Sequence, residues 1–230
     1  MAKLKLGAML GDARNAMGGM VFSKNQFGAY ARQKVSPVQP RSIKQTLARM
    51  LLQDLATRWA NTLTTAQRAG WIALASSNPV TDVFGDSQIL TGLQIYVRCN
   101  RNLMKAGQDY RANPPANQDV DALTALTVAA SVAAQSITLT FTPTPLEADH
   151  KMMYWATPPL SHGRAYHENF YKFLGASAAA LASPSDIGAL WVNRYGAFQL
   201  GQQIGVKVRL VNVDTGAESA ALTATCEAAA

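Results

Sequence analysis

Glutamate is missing from the first 146 residues of this chain; none occurs before Glu147. Charge of either sign is scarce, at 15% of residues against a usual quarter. Acid–base catalysis wants a pair of carboxylates, and the N-terminal half offers only scattered aspartates. Cysteine is limited to Cys99 and Cys226. No disulfide framework is implied, and a reducing compartment during folding is expected. The chain has no GxSxG, Walker loop, dinucleotide fingerprint, CxxC or HExxH. Gly18-Gly19 neither follows a strand nor opens a helix, so a phosphate cradle fails on context. No stretch approaches the ~20 apolar residues needed to span a bilayer. The opening MAKLKLGAMLGDARNAM is broken by Asp12 and Arg14 too soon for a signal-peptide core. These absences predict a non-enzymatic protein without cofactor, metal or membrane partner, made in a cytoplasm.

What is present is a globular composition: 48% of 230 residues are hydrophobic, enough for a core in one or two domains. Alanine, threonine, glutamine and asparagine fill the place of charge, giving a polar, weakly charged surface suited to permanent partners. The net charge of +7 is uneven. Residues 1–118 hold 15 Lys+Arg and 5 Asp, a net +10. Residues 119–230 hold 6 Lys+Arg and 9 Asp+Glu, a net −3. A basic half suits nucleic acid or an acidic protein surface.

The clearest pattern lies in SIKQTLARMLLQDLATRWANTLTTAQRAGWIALA, residues 42 to 75. Ile43, Leu47, Met50, Leu51, Leu55 and Trp59 fall on one helical stripe. A second amphipathic run carries Trp71, Ile72 and Leu74. Ser42 with Gln45, Thr64 with Gln67 and Thr91 with Gln94 each form a capping-box pair. The spacing predicts helices over about 43–60, 65–76 and 92–106. Trp59 and Trp71, with Leu63 between them, are expected to be the structural core of this helical module (42–107).

Before it, residues 1–18 show no steady period and are expected to need a partner for order. Residues 18 to 35 predict a hairpin, with strands at 20–23 and 29–35 around SKNQFG. Together residues 1–41 form an extended arm and hairpin. Val80 to Leu90 reads as a loop, or a second small hairpin centred on Gly85. QDYRANPPANQDVD (108–121) reads as a polar linker. Beyond it, residues 122–230 alternate apolar and polar in seven short runs, which predicts an antiparallel β-sandwich. GALWVNRYG is one of these seven. The whole is α+β.

Ile204 to Ser219, IGVKVRLVNVDTGAES, resembles the penultimate strand and following turn of fibronectin type III domains. Val206, Val208, Leu210, Asn212, Gly216 and Ser219 carry the likeness. Ile204 stands where that family has a tyrosine, so the tyrosine-corner hydrogen bond is missing. The first 115 or so residues resemble poorly characterised proteins of tailed bacteriophages. The likeness rests on a Gly-rich basic arm, a hairpin, PxxPRSxxQ, Trp59–Leu63-Thr64–Gln67-Arg68–Trp71, and Asn100-Arg101-Asn102-Leu103. It implies a virion or virion-assembly role.

His162, His167 and Glu168 have metal-ligand side chains, but lack ligand spacing and read as exposed loop residues. The arm carries the partner-binding expectation: Lys3, Lys5, Arg14, Lys24, Arg32, Lys34 and Arg41 alternate with anchors Phe22, Phe27 and Tyr30. Apolar anchors beside charges suit an arm that folds against a partner. The resulting expectation is a phage virion structural protein, a capsid cement or decoration protein in the virion. Its partners would be the major capsid protein, other virion proteins or a second copy. A tail or head–tail junction component is the nearest alternative. A nucleic-acid-binding protein is the alternative from another class.

Overall fold

A computed structural model describes residues 2–5, 13–25, 28–36, 38–39, 41–164 and 166–230. Among them the protein is α+β, with four α-helices and strands gathered in three sheets. At the N-terminus lie β1 (Ala2–Leu4), β2 (Asn15–Met17), β3 (Met20–Asn25) and β4 (Gly28–Gln33). The expected hairpin is β3–β4. It does not stand alone, because β1 pairs with β4 and β2 with β3, all antiparallel, in the order β1-β4-β3-β2. The described strands at 2–4 and 15–17 thus find their pairing partners within the chain, where a partner was expected to order residues 1–18. A bare hairpin leaves two edges of unpaired backbone groups, and the flanking segments satisfy them.

The three helices fall where capping and periodicity put them: α1 (Ile43–Asn61), α2 (Thr65–Ser77) and α3 (Gly92–Lys105). Thr64 and Thr91 each head a complete capping box with Gln67 and Gln94. At Ser42 the hydroxyl accepts from the Gln45 N–H at 3.4 Å. Between α2 and α3, β5 (Val80–Thr81) and β6 (Ser87–Gln88) make the small hairpin around Gly85.

The helical core is aromatic. Trp71 is fully buried, Leu55 and Leu63 are buried in the same cluster, and Trp59 packs on its rim. Tyr96 of α3 touches both tryptophans, with ring centroids 5.5 Å from Trp59 and 5.3 Å from Trp71. The segment read as a linker is strapped onto this module. Trp71 Nε1 donates to the Ala112 carbonyl at 2.8 Å, and Gln67 donates to Asn113 at 2.8 Å. Asn100, fully buried, binds Arg111 through its amide oxygen and nitrogen.

The C-terminal part holds β7 (Ala125–Ser131), β8 (Ser136–Thr142), β9 (His150–Ala156), β10 (Lys172–Ala179), β11 (Ser185–Asp186), α4 (Gly188–Tyr195), β12 (Gln203–Asn212) and β13 (Leu222–Ala229). The strands form one sheet in the order β10-β9-β12-β13-β7-β8-β11. Ile137, Leu139 and Phe141 of β8 share a core with Met152, Tyr154 and Ala156 of β9, although three strands separate them in the sheet. The sheet therefore curls until its two halves face each other. It is not wholly antiparallel, since β13 joins β7 in parallel through Ala228 and Ala229.

One expected strand is a helix. GALWVNRYG forms α4, in which the N-cap Ile187 and Trp191 are buried four positions apart, with half-buried Tyr195 next. Trp191 is fully buried, donates to the Thr157 carbonyl at 2.9 Å and meets the Phe198 ring edge-on at 5.3 Å. Its Trp, Val and Tyr suit a strand locally, and burial overrides that preference.

The two halves of the chain are locked together at the turn after β12. Asn212 Oδ1 accepts from the N–H groups of Asp214 and Thr215, closing the turn. Gly216 then lies against α3 with φ +70, where a Cβ would sit 2.5 Å from the Cys99 carbonyl oxygen. Asn102 donates to the Gly216 carbonyl at 3.1 Å, and Lys151 donates to the Ala106 carbonyl at 3.0 Å. Met153 and Val211, on the outer face of the sheet, pack against Ala106.

Trp71→Ala is expected to cost about 3–5 kcal/mol of stability, read from urea unfolding, through lost aromatic packing. Gly216→Ala combines a left-handed backbone with a backbone clash and should cost at least about 1–3 kcal/mol. Hydrogen exchange should then show α3 losing protection at Asn102 and Ala106 ahead of the β12 core.

Candidate docking surface

The length of α1 sets up this surface. It has 19 residues, against 13 in α2 and 14 in α3. At 1.5 Å per residue it overhangs its neighbours by roughly 8 Å. Packing begins only at Leu51, half-buried on the cluster rim, and Leu55, fully buried. Every residue from Arg41 to Met50 is exposed. Ile43, Leu47 and Met50, placed by sequence on one helical stripe, are 79%, 59% and 60% exposed. They lie at i, i+4 and i+7 and make an apolar stripe that no described residue covers. Val35 and Val38 before the helix, and Leu52 on the opposite side of α1, are also exposed. Isolated helical turns are marginal in water, so a free stripe of this kind suits a partner.

The electrostatics of the same stretch are one-sided. Arg41, Lys44 and Arg49 lie along it, and no acidic residue falls in the first turn of α1. The first carboxylate on the helix is Asp54, paired with Arg58 at 2.8 Å. A second copy laid against this face would bring like charges together, whereas an acidic surface with apolar grooves would complement it.

The arm residues singled out by sequence are not gathered on one face. In the β3–β4 register Phe22 opposes Ala31 and Lys24 opposes Ala29, while Tyr30 and Arg32 oppose Ser23 and Val21. Strand alternation therefore puts Phe22 and Lys24 on one side and Tyr30 and Arg32 on the other. Arg14, Phe22 and Lys24 line a shared recess. Lys34 and Arg41 are exposed beyond the sheet. Phe27 lies outside the described residues.

Lys3 and Lys5 are engaged within the protein. Lys3 Nζ is 2.8 Å from Asp82, and Lys5 Nζ is 2.8 Å from Asp86, so β1 is pinned to the β5–β6 hairpin. Asp82 also accepts the N–H groups of Phe84 and Asp86. The Lys3 hydrogen bond, aided by these backbone donors, holds the Asp82 carboxyl below its ordinary value of 3.8. Sequence reasoning missed this pairing because the partners lie some 80 residues apart.

The remaining candidate groups do not assemble catalytic chemistry. Burial pushes both the Cys99 and Cys226 thiols up to about 11, far from a thiolate nucleophile. His162 lies 3.1 Å from Glu227 and Glu168 lies 3.6 Å from Lys207, so the imagined His162–His167–Glu168 ligand set is divided among other partners. Among the described residues, Glu147, Asp149 and His150 bring ligand-type atoms within 4.8 Å of one another. His150 is buried, and its Nδ1 lies 3.1 Å from Glu147 and 3.0 Å from Asp149, the geometry of an N–H shared by two carboxylates. No helix among the described residues is long and apolar enough to cross a membrane.

No protein-family model matches the chain, and no curated protein does. Among solved structures, it is similar to a family 76 glycoside hydrolase from a bovine Bacteroides thetaiotaomicron strain, at 9% identity and a TM-score of 0.33, over 47% of this chain and 20% of that one. The chain thus spans about a fifth of that enzyme's length. It is also similar to a Fn3-like protein from Clostridium thermocellum, at 12% identity and a TM-score of 0.30, over 48% of this chain and 94% of that one. At these TM-scores neither likeness bears on fold or function.

The Asp82 pairing has a pH signature. Its folded-state pKa is lowered, so its contribution is full above the ordinary carboxylate value and fades as pH falls through the lowered one. Protection of the β1 amides against hydrogen exchange, corrected for intrinsic rates, should drop in that acidic window. Asp82→Asn should show the unprotected behaviour already at neutral pH.

Proposed function

We propose that this protein is a non-enzymatic structural component of a tailed-bacteriophage virion, a capsid cement or decoration protein that attaches through its N-terminal half. The observation that carries the reading is the exposed basic and apolar stretch from Arg41 to Met50. The resemblance of the arm, hairpin and helices to phage proteins supplies the virion context. The partner is an acidic surface of the major capsid protein or another virion protein, with grooves for Ile43, Leu47 and Met50. Several weak contacts, at the stripe, the sheet and the exposed Lys34 and Arg41, would add through effective concentration. The curled sheet is read as a fibronectin III or immunoglobulin-like sandwich. Two strand groups, β11-β8-β7 and β10-β9-β12-β13, meet at the parallel β7–β13 seam, and Val206, Val208 and Leu210 fill the core as that likeness expects. The nucleic-acid reading has less support, since Lys3, Lys5 and Arg58 already face Asp82, Asp86 and Asp54.

The test is attachment to particles of the phage that encodes the chain, with copies counted by mass spectrometry. Wild-type copy number is expected to scale with the major capsid protein. The triple variant Ile43→Asp, Leu47→Asp, Met50→Asp should attach roughly tenfold less or worse while unfolding at the same temperature, because these side chains are already in water. A small fixed number of copies would place the protein in the tail or its junction. Absence from particles would overturn the virion reading. Undiminished attachment of the triple variant would overturn the role of the stripe.

A further inference from the structure

Where the end of α3 meets the outer face of β9 and β12, a recess of about 310 Å³ is walled largely by cations. Arg101 and Lys105, four residues apart, share one side of α3. Strand alternation puts Lys207 and Arg209 on the outer face of β12, and register sets Lys207 opposite Trp155 of β9. We propose that this recess binds a phosphate dianion, free or carried on a small phosphomonoester.

The charges in the recess do not balance. Four cations line it, Arg101, Lys105, Lys207 and Arg209, against two carboxylates, Glu168 and Glu218, a net +2. Lys207 Nζ is 3.6 Å from Glu168, and the Arg209 guanidinium is 2.9 Å from Glu218. Among the described residues, Arg101 and Lys105 have no carboxylate in ion-pair contact. The walls are open to a ligand. Arg101 is exposed, and the Lys207 and Arg209 side chains are 24% and 32% exposed.

Lys105 is the centre of the imbalance. It is half-buried, with Nζ 5.9 Å from the Trp155 ring centre and 5.5 Å from that of Phe173. The rings attract its charge but offer no lone pair to its N–H groups. A lysine in the last turn of a helix often meets the free carbonyls there, and here other donors have taken them. The Gln108 N–H donates to the Leu103 carbonyl, Gly107 to Met104, and Lys151 Nζ to Ala106. Burial and the neighbouring Arg101 lower the Lys105 pKa, as expected of a cation held without enough counter-charge.

Charge and size together select the ligand. A phosphomonoester carries about −1.5 to −2 near neutral pH, which matches the excess, and an arginine fork can bind two of its oxygens at once. A single carboxylate would leave half of the excess unmet. A nucleic-acid strand wants a row of unpaired cations, whereas Lys207 and Arg209 already face Glu168 and Glu218. The inference does not depend on the virion reading, since it concerns other residues.

The test is isothermal titration calorimetry of the full chain with inorganic phosphate and with phenyl phosphate, at fixed ionic strength. Saturable binding of at least one is expected, weakening as pH falls through about 6, where the ligand loses its second charge. Lys105→Met keeps a stem against the Trp155 and Phe173 rings and should weaken binding about tenfold, with a thermal midpoint equal to or above wild type. Arg101→Gln should weaken it independently. Arg68→Gln, on α2 and outside the recess, should leave it unchanged. Tighter binding of phenyl phosphate would assign the organic ester, and equal or weaker binding the free ion. No saturable binding of either probe would overturn the proposal. Equal weakening by Arg68→Gln and Lys105→Met would also overturn it, by reducing the effect to general screening. So would retention of a single-stranded oligonucleotide with neither phosphate probe bound.

Discussion

The close approach of Gly216 to the backbone of α3 is the contact on which the arrangement of this protein depends. It lets the turn after β12 touch the Cys99 carbonyl, and Asn102 then ties to the turn through the Gly216 carbonyl. Once α3 is fixed to the sheet, Tyr96 fixes Trp59 and Trp71, and so α1 and α2. The segment from Arg111 to Asn113 closes over that pair and joins the same unit. The outer face of β9 and β12 becomes a second interior, where Met153 and Val211 meet Ala106, and Lys105 lies over the Trp155 and Phe173 rings. Burial there lowers the Lys105 pKa, with Arg101 adding to the effect.

How much could be read in advance follows from how local each determinant is. The three helices of the N-terminal half were legible because a capping box and an i, i+4 stripe are written within a few residues of each other. The strands of the curled sheet were legible from alternation, save the two-residue β11 and the run that became α4. That helix has eight residues, too few for period to outweigh the strand-like character of Trp191, Val192 and Tyr195. The three-residue strands β1 and β2 carry no period, and pairing with β4 and β3 makes them strands. The run KMMYWA held a signal: continuous apolar character in a strand means burial on both faces, and β9 is covered by the core on one side and Ala106 on the other.

The candidate sites show the same limit from the other direction. Periodicity reports that Ile43, Leu47 and Met50 share a face with Leu55, and cannot report that α2 and α3 end before covering them. The better clue was the length of the capped segment, set against the shorter helices after it. Basic residues in the arm were legible as a group, but register divides Phe22 and Lys24 from Tyr30 and Arg32, and Asp82 and Asp86 engage Lys3 and Lys5. The paired lysines position the arm.

Rigidity and exposure are therefore divided along the chain in a way that suits attachment. Residues from Leu51 onward are tied through α3 and Gly216 into one packed body, so a partner held at one end would orient the other. Arg41 to Met50 have no such ties, and their apolar stripe can be buried against a partner without breaking any internal packing. The cost of ordering this segment is small because the Ser42 cap and continuity with the packed half of α1 already favour helix. The outer sheet face carries two features side by side, α3 against Met153 and Val211, and Tyr171 against Gly205. Glu168, Tyr171 and Lys207 stand where the two adjoin.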